Sequence, residues 1–314
     1  MNDQLHVIFG TGPVGCWTAR ALREMDMPVR AVNRSGQRPD LLPDDVELVT
    51  ADAADAQQAV AAAKGAAVIY QALNPPYDKW QEQFPELQAG ALAAAKAAGA
   101  RFVSIENLYM YDSSQPLSEA SPIRPRSKKG ELRAKMAEEV MAAHERGEIE
   151  AATLRASDYY GPGVLGSAVG EMVFGNLVSG KKAQVSGSAV MPHSLAYIED
   201  VGQAAAILGT RDEALGKVWI APHAPARTQG EIVEMAAQNL NIEPKMSVIS
   251  PFMMRLAGLF MPEARASVEM MYEFTEPFVV DSRKFEQTFQ VEATPIDEGV
   301  RRTVAWYQSK RGHQ

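Results

Sequence analysis

The chain is poor in cysteine: Cys16 is the only one in 314 residues. This excludes an intramolecular disulfide and any metal centre built from several thiolates, and it is the usage expected of a reducing compartment. Cys16 itself reads as a small buried hydrophobe rather than a redox thiol. Basic charge is also short, with 31 Lys and Arg against 39 Asp and Glu and a formal charge of −8. No Lys/Arg stripe offsets that balance, so nucleic acid is excluded as a partner, because neutralising phosphates needs a basic face. No apolar run approaches the ~20 residues needed to cross a bilayer, which argues against a membrane role. The opening stretch "MNDQLHVIFGTG" lacks the basic region, long apolar segment and small-residue cleavage site of a signal peptide, so the cytoplasm is the expected location. Internal repeats and low-complexity linkers are missing too. What remains is 46% hydrophobic and 22% charged, the balance of a globular protein. Its expected partner is a small molecule, and a homodimer is left open.

Short apolar runs alternate with helix-forming segments through the first half: "LHVIF" (5–9), "VRAVN" (29–33), "AAVIYQA" (66–72), "RFVSI" (101–105) and "AATLR" (151–155). Strand–helix alternation implies right-handed βαβ crossovers and a parallel sheet covered on both faces. The expected architecture is α/β, a doubly wound parallel sheet of Rossmann type. Residues 1–160 would form the dinucleotide-binding domain. Residues 161–314, where the pattern loosens, would form a smaller C-terminal substrate-binding region interleaved with the last strands of that domain. The Met-rich stretch 252–272 reads as core or pocket lining, which hints at an apolar substrate.

"VIFGTGPVGCWTARAL" places Gly10, Gly12 and Gly15 in Gly-x-Gly-x-x-Gly order between the first strand and the first helix. Gly10 permits a tight turn, Gly12 the approach of a pyrophosphate and Gly15 the packing of helix on strand, with Pro13 and Val14 completing the loop. Dinucleotide binding is the reading, against an ordinary glycine turn. At the end of the second strand an acidic residue would select NAD; Asn33, Arg34 and Ser35 stand there instead. Arg34 can pair with a 2′-phosphate, which favours NADP(H) over NAD(H), or it can be a solvated loop cation. Asp52, followed by Ala53, either accepts from the adenine amino group or caps a helix. Ala72, Leu73 and Asn74 begin the loop after the fourth strand and would pass beneath the cofactor, with Pro75 and Pro76 stiffening it. Tyr77 and Trp80 either wall the substrate pocket or pack in the core.

Three further segments, "PLSEASPIRP" (116–125), "LRASDYYGPG" (154–163) and "HSLAYIEDVGQAA" (193–205), complete a resemblance. From about residue 5 to 215, and more faintly to the end, the chain resembles the extended and atypical short-chain dehydrogenase/reductases, the NAD-dependent epimerase/dehydratase group. The resemblance implies a Ser or Thr after a central strand and a Tyr-x-x-x-Lys pair on the next helix. In that pair the Lys holds the nicotinamide ribose and lowers the phenol pKa, so that the Tyr can exchange a proton as hydride moves. Aligning "SIENLYMYD" with the family puts Asn107 at the Ser/Thr position and Tyr111 at a structural tyrosine. Aligning "ELRAKMAEE" retains Lys135 and replaces the Tyr by Glu131. Sequence sliding cannot restore the motif, because no tyrosine lies between Tyr111 and Tyr159.

A carboxyl near pKa ~4.3 beside a lysine is a poor proton donor at neutral pH, and Glu131 with Lys135 equally suits a helix-surface ion pair. Tyr109 and Tyr111 are the candidate replacement acids, with Asn107 as a donor to a developing oxyanion; packing roles stand beside these. Lys128 and Lys129 read as surface cations, and His193 as a structural histidine with no triad partners in sight. No metal site is expected. The resulting expectation is an atypical NADP(H)-dependent reductase or dehydrogenase acting on a small carbonyl or alcohol. The alternatives are a non-catalytic NADP(H)-binding redox sensor or partner-binding protein, and a nucleotide-sugar epimerase or dehydratase.

Overall fold

A computed structural model describes residues 4–112 and 116–311. The chain divides into two compact units, one formed by residues 1–110, 128–156 and 199–221 and the other by 111–127, 157–198 and 222–314.

The first unit is built on seven strands: β1 (Leu5–Phe9), β2 (Val29–Asn33), β3 (Glu47–Thr50), β4 (Ala66–Gln71), β5 (Arg101–Glu106), β6 (Glu150–Arg155) and β7 (Val218–Ile220). Their spatial order is β7-β6-β5-β4-β1-β2-β3, and every neighbouring pair is parallel. Strands buried on both faces are apolar throughout rather than alternating, and Val7, Ile8 and Phe9 of β1 are fully buried. The helices are α1 (Pro13–Glu24), α2 (Ala56–Ala62), α3 (Trp80–Ala98), α4 (Lys128–Glu145) and α5 (Ile198–Thr210), whose residues from Glu199 on belong to this unit. This is the doubly wound arrangement. The order reverses between β1 and β4, and in such sheets ligands bind outside the carboxyl ends of the strands at that reversal.

Local chemistry sets the element ends. Pro13 opens α1 at its first turn, where its missing N–H costs nothing and its fixed φ suits a helix. Asp55 caps α2, accepting from the Gln57 and Gln58 amides at 2.9 and 3.2 Å. Gly99 ends α3 in the left-handed region at φ 61°. The glycine of "YIEDVGQAA" lets α5 lie close to α1, since a Cβ at Gly202 would come within 2.5 Å of the Trp17 carbonyl carbon.

The second unit contains short paired strands and helices around its own core, with Phe174, Tyr197, Ile232, Val233 and Val304 among the buried side chains. The segment Gln229–Leu240 is a helix started by a capping box between Thr228 and Glu231, which satisfies two backbone donors at once. The Met-rich stretch, expected as core or pocket lining, is core only in part. Met270 and Met271 are buried, but Phe252, Leu259 and Phe260 are 73, 65 and 83% exposed. Its first half is therefore an apolar surface, because the helix Pro251–Ala257 buries none of its residues. Among the described residues no helix is long and apolar enough to cross a membrane.

Candidate functional site

The three glycines of the first turn answer to different constraints. Gly10 has φ +103°, and a Cβ there would lie 2.5 Å from the Ala72 carbonyl oxygen. A side chain at Gly15 would collide with the Gly10 carbonyl oxygen. Internal packing accounts for both. Gly12 is different: its φ of −69° and ψ of −178° are open to any residue, and a Cβ would meet nothing within 4 Å. Nothing in the first unit therefore excludes a side chain at Gly12, and the space it leaves lies at the start of α1. The Val14 and Gly15 amides belong to the first turn, which has no intrahelical acceptors. No acidic residue occupies that turn, so nothing offsets the positive end of the helix dipole.

The tip of β2 is tied to this turn. Asn33 donates from Nδ2 to Thr11 Oγ1 at 2.8 Å and to the Gln37 carbonyl at 2.9 Å, while its Oδ1 accepts from the Gly36 amide at 2.7 Å. Both amide hydrogens of Asn33 are thereby engaged within the protein. Arg34 and Ser35 are exposed, and Arg34 makes no hydrogen bond or ion pair among the described residues. Arg38 differs, donating to the Pro43 and Val46 carbonyls at 2.8 and 2.7 Å. At the next strand end Asp52 accepts from the Ala54 amide at 3.0 Å, a local turn. The helix cap that was one reading of Asp52 belongs to Asp55. Ala53 is buried.

The loop after β4 comes against the glycine turn. The Ala72 amide donates to the Phe9 carbonyl at 2.9 Å, and Gly10 faces Ala72 and the Leu73 amide. Asn74 is exposed. Farther along, Trp80 is fixed by donation from Nε1 to the Pro75 carbonyl at 3.2 Å, and Tyr77 packs edge-on against it at 5.0 Å between ring centroids.

At the end of β5, Asn107 Oδ1 accepts from the Tyr109 amide at 3.3 Å. Tyr109 is half-buried, stacks on Trp80 at 5.9 Å and brings its hydroxyl 3.5 Å from that of Tyr77. The two strand ends and the start of α3 thus form one aromatic cluster. Tyr111, in the second unit, is 2% exposed and forms an antiparallel bridge with Ile123; its ring is a core element there.

On α4 the structure separates residues that the sequence had grouped. Glu131 and Lys135 are exposed, and no ion pair joins them among the described residues, so the expected surface pair does not form. Lys129 and Arg133 are 5 and 2% exposed. This corrects the reading of Lys129 as a surface cation. Its Nζ lies 4.4 Å from the centroid of the Tyr77 ring, and the Arg133 guanidinium lies 4.6 Å from that of Phe84 while donating to the Ile105 carbonyl at 3.4 Å. Lys128 stays at the surface, its carbonyl accepting from Gln81 Nε2 at 3.0 Å.

Two features lay outside the sequence reading. Glu106 and Arg155 end the adjacent strands β5 and β6 and are paired in register, with Arg155 Nε 3.0 Å from Glu106 Oε2. Ser104 donates to the other carboxylate oxygen at 3.0 Å. The only signal was a charge closing each of two apolar runs. In the second unit His193, read as a structural histidine with no triad partners in sight, faces an oxygen at each ring nitrogen: Asp158 Oδ2 at 2.9 Å and the Glu273 carbonyl at 3.1 Å. Its ring is sandwiched between Phe274 and Phe278, each at 5.0 Å. Burial, reinforced by the Asp158 charge, raises the Glu273 carboxyl well above the usual carboxylate range. Burial likewise raises the Cys16 thiol to about 11, which leaves it unreactive at neutral pH. Among the described residues no group of His, Cys, Asp and Glu could hold a metal ion.

Two of the segments that carried the resemblance are built into one another. Tyr159 and Tyr160 of "YYGPG" pair in parallel with Ala196 and Tyr197 of "HSLAY", and the Ala196 amide donates to the Asp158 carbonyl at 2.9 Å.

Comparison with solved structures gives full-length likenesses. The UDP-glucuronic acid 4-epimerase of Bacillus cereus, solved with UDP-glucuronic acid and NAD, is 16% identical with a TM-score of 0.79, covering 98% of this chain and 100% of that one. The dTDP-glucose 4,6-dehydratase of Bacillus anthracis, solved with NAD, is 14% identical with a TM-score of 0.78 and 98% coverage of each chain. A nucleoside-diphosphate-sugar epimerase from Pseudomonas aeruginosa is 15% identical with a TM-score of 0.78, again covering 98% of each chain. At these identities the likeness is one of fold. No curated protein matches the chain in sequence. A sequence profile described as the NAD dependent epimerase/dehydratase family matches residues 7–220, which is well over half of the chain, and the protein therefore belongs to that family.

Proposed function

We propose that the protein binds a nicotinamide dinucleotide across the glycine turn, NADP(H) in preference to NAD(H), and works as an oxidoreductase on a small carbonyl or alcohol. The observation that carries this reading is Gly12. Neither its backbone conformation nor the packing around it requires glycine, so the missing side chain is explained by what approaches from outside. At a helix start that exposes backbone N–H groups, that approach suits a pyrophosphate. Membership of an NAD-dependent family agrees with a nicotinamide dinucleotide at the turn, while the preference for NADP(H) rests on Arg34 alone.

When bound, the nicotinamide supplies hydride chemistry. The residues of this chain do the rest. The amides of Val14 and Gly15 face the diphosphate. Arg34, exposed and without a carboxylate beside it at the β2 tip, pairs with a 2′-phosphate through charge-assisted hydrogen bonds. Asn107, whose Oδ1 is engaged by the Tyr109 amide, offers its Nδ2 hydrogens to a substrate oxygen. Tyr109, half-buried and next to Asn107, gives or takes the proton. Lys135, exposed on α4, keeps the role the resemblance implies for it, holding the nicotinamide ribose.

One observation favours a second reading, chemistry on a nucleotide sugar: neighbours in fold were solved with UDP-glucuronic acid and NAD or named as sugar epimerases. Both readings keep the cofactor. Titration with NADPH and NADH, followed by screening of carbonyl compounds and nucleotide sugars in wild type and Tyr109→Phe, separates them. Turnover confined to nucleotide sugars selects the second, and tight cofactor binding without turnover on either panel leaves a binding protein.

A further inference from the structure

We propose that Lys129 tunes the proton-donating phenols of this site, rebuilding the phenol–cation unit of Tyr-x-x-x-Lys from Lys129, Tyr77 and Tyr109. This rests on the reading that Tyr109 handles a proton, and it adds the group that makes the phenol acidic enough to do so.

The register of α4 is the starting point. A helix position turns by about 100° per residue, so a shift of two residues carries a pair from one face to nearly the opposite one. The i, i+4 pair Glu131 and Lys135 is exposed, while the pair two residues earlier, Lys129 and Arg133, is buried. Only the second pair is on the face packed into the protein. Lys129 and Arg133 thus repeat the i, i+4 spacing of the family pair on the buried face of α4. Arginine keeps its charge at any physiological pH, so Arg133 cannot be the proton carrier, and its guanidinium is committed to Phe84 and the Ile105 carbonyl.

The Lys129 ammonium lies 4.4 Å from the centroid of the Tyr77 ring, and the Tyr77 hydroxyl is 3.5 Å from that of Tyr109. The phenols stand on the loops after β4 and β5, and the cation reaches the Tyr77 ring from the buried face of α4. A buried ammonium is costly unless electron density faces it, which the ring supplies. Such a cation favours phenolate over phenol. Other charges on the surrounding elements are Asp78 beside Tyr77, Lys79 paired with Glu82 at 3.6 Å, Glu106 paired with Arg155 at 3.0 Å, and Arg133. In the reduction direction the Tyr109 O–H bond breaks, its proton goes to the substrate oxygen and the electron pair stays on the phenolate. The substrate carbon takes its hydride from a reduced nicotinamide dinucleotide.

Lys129 is therefore a positioning residue, and its effect is read on the phenols directly. Tyrosinate absorbance is followed against pH in the full-length protein, with Tyr109→Phe and Tyr77→Phe difference spectra identifying the two transitions among nine tyrosines. Lys129→Met should raise the Tyr109 and Tyr77 transitions by about one pH unit or more, and Lys129→Arg should restore them. Unchanged transitions in a folded Lys129→Met protein, judged by circular dichroism, would overturn the proposal. Should that variant fail to fold, Tyr77→Phe decides: an unmoved Tyr109 transition overturns the relay between the two phenols. NADPH binding is measured separately, so loss of the cofactor reading and loss of this one remain distinct results.

Discussion

Asn33, at the end of β2, donates from Nδ2 to Thr11 Oγ1 in the glycine turn at 2.8 Å. This bond fixes the strand tip that would read a ribose substituent against the turn that would hold a diphosphate. The family position that would carry a carboxylate in an NAD site is spent here on holding the loop, and the neighbouring Arg34 remains exposed.

The glycines should separate under mutation. Gly15→Ala forces a Cβ onto the Gly10 carbonyl oxygen and should cost about 3 kcal/mol of stability, an overpacking penalty. Gly12→Ala meets no protein atom and should cost less than about 1 kcal/mol. Urea denaturation of the two variants checks the contrast.

Stability should fall with acid through His6. Its ring is buried, with Nδ1 2.9 Å from the Tyr70 hydroxyl, and burial lowers its pKa from 6.5 to about 4. Above pH 6.5 both folded and unfolded states are neutral at this site, and its contribution is fully present. As pH falls from 6.5 towards 4 the unfolded chain takes up a proton that the folded chain refuses, and stability drops by up to roughly 3 kcal/mol. In His6→Gln the slope of unfolding free energy over that window should flatten; an unchanged slope would assign the acid sensitivity elsewhere.

Removing one member of the Glu106–Arg155 pair should be severe. Their side chains are 1 and 4% exposed, so Glu106→Ala leaves a guanidinium buried without its carboxylate, a loss of about 3–5 kcal/mol. A double-mutant cycle with Arg155→Met should recover part of this, because the buried charge goes with its partner. Additive losses would show that the two residues act independently.

Much of the fold was legible in sequence because parallel strands buried on both faces are uniform apolar runs, and "LHVIF" and "AAVIYQ" are too short for helices and alternate with helix-forming segments. The glycine turn was legible for the same reason, since its spacing follows from a strand turning into a helix. The register of α4 was not. Its packed face includes Lys129 and Arg133, whose stems and charges settle on Tyr77 and Phe84, so polarity along the helix misreports which side is buried. Pairings across long separations, such as Asp158 with His193 or Glu106 with Arg155, carry no local signal. Phe252 and Phe260, in the stretch read as core or pocket lining, are exposed rather than core, because hydrophobicity alone does not say where a side chain points.

Whether a nicotinamide dinucleotide binds at the glycine turn is decided by calorimetric titration of the folded protein with NADPH and NADH. Both should bind, NADPH the more tightly. Arg34→Ala should remove that preference, a loss of about 1–3 kcal/mol, and Gly12→Val should weaken both at least tenfold without unfolding. No uptake of either coenzyme by folded wild type, or full affinity in Gly12→Val, would contradict binding at the turn.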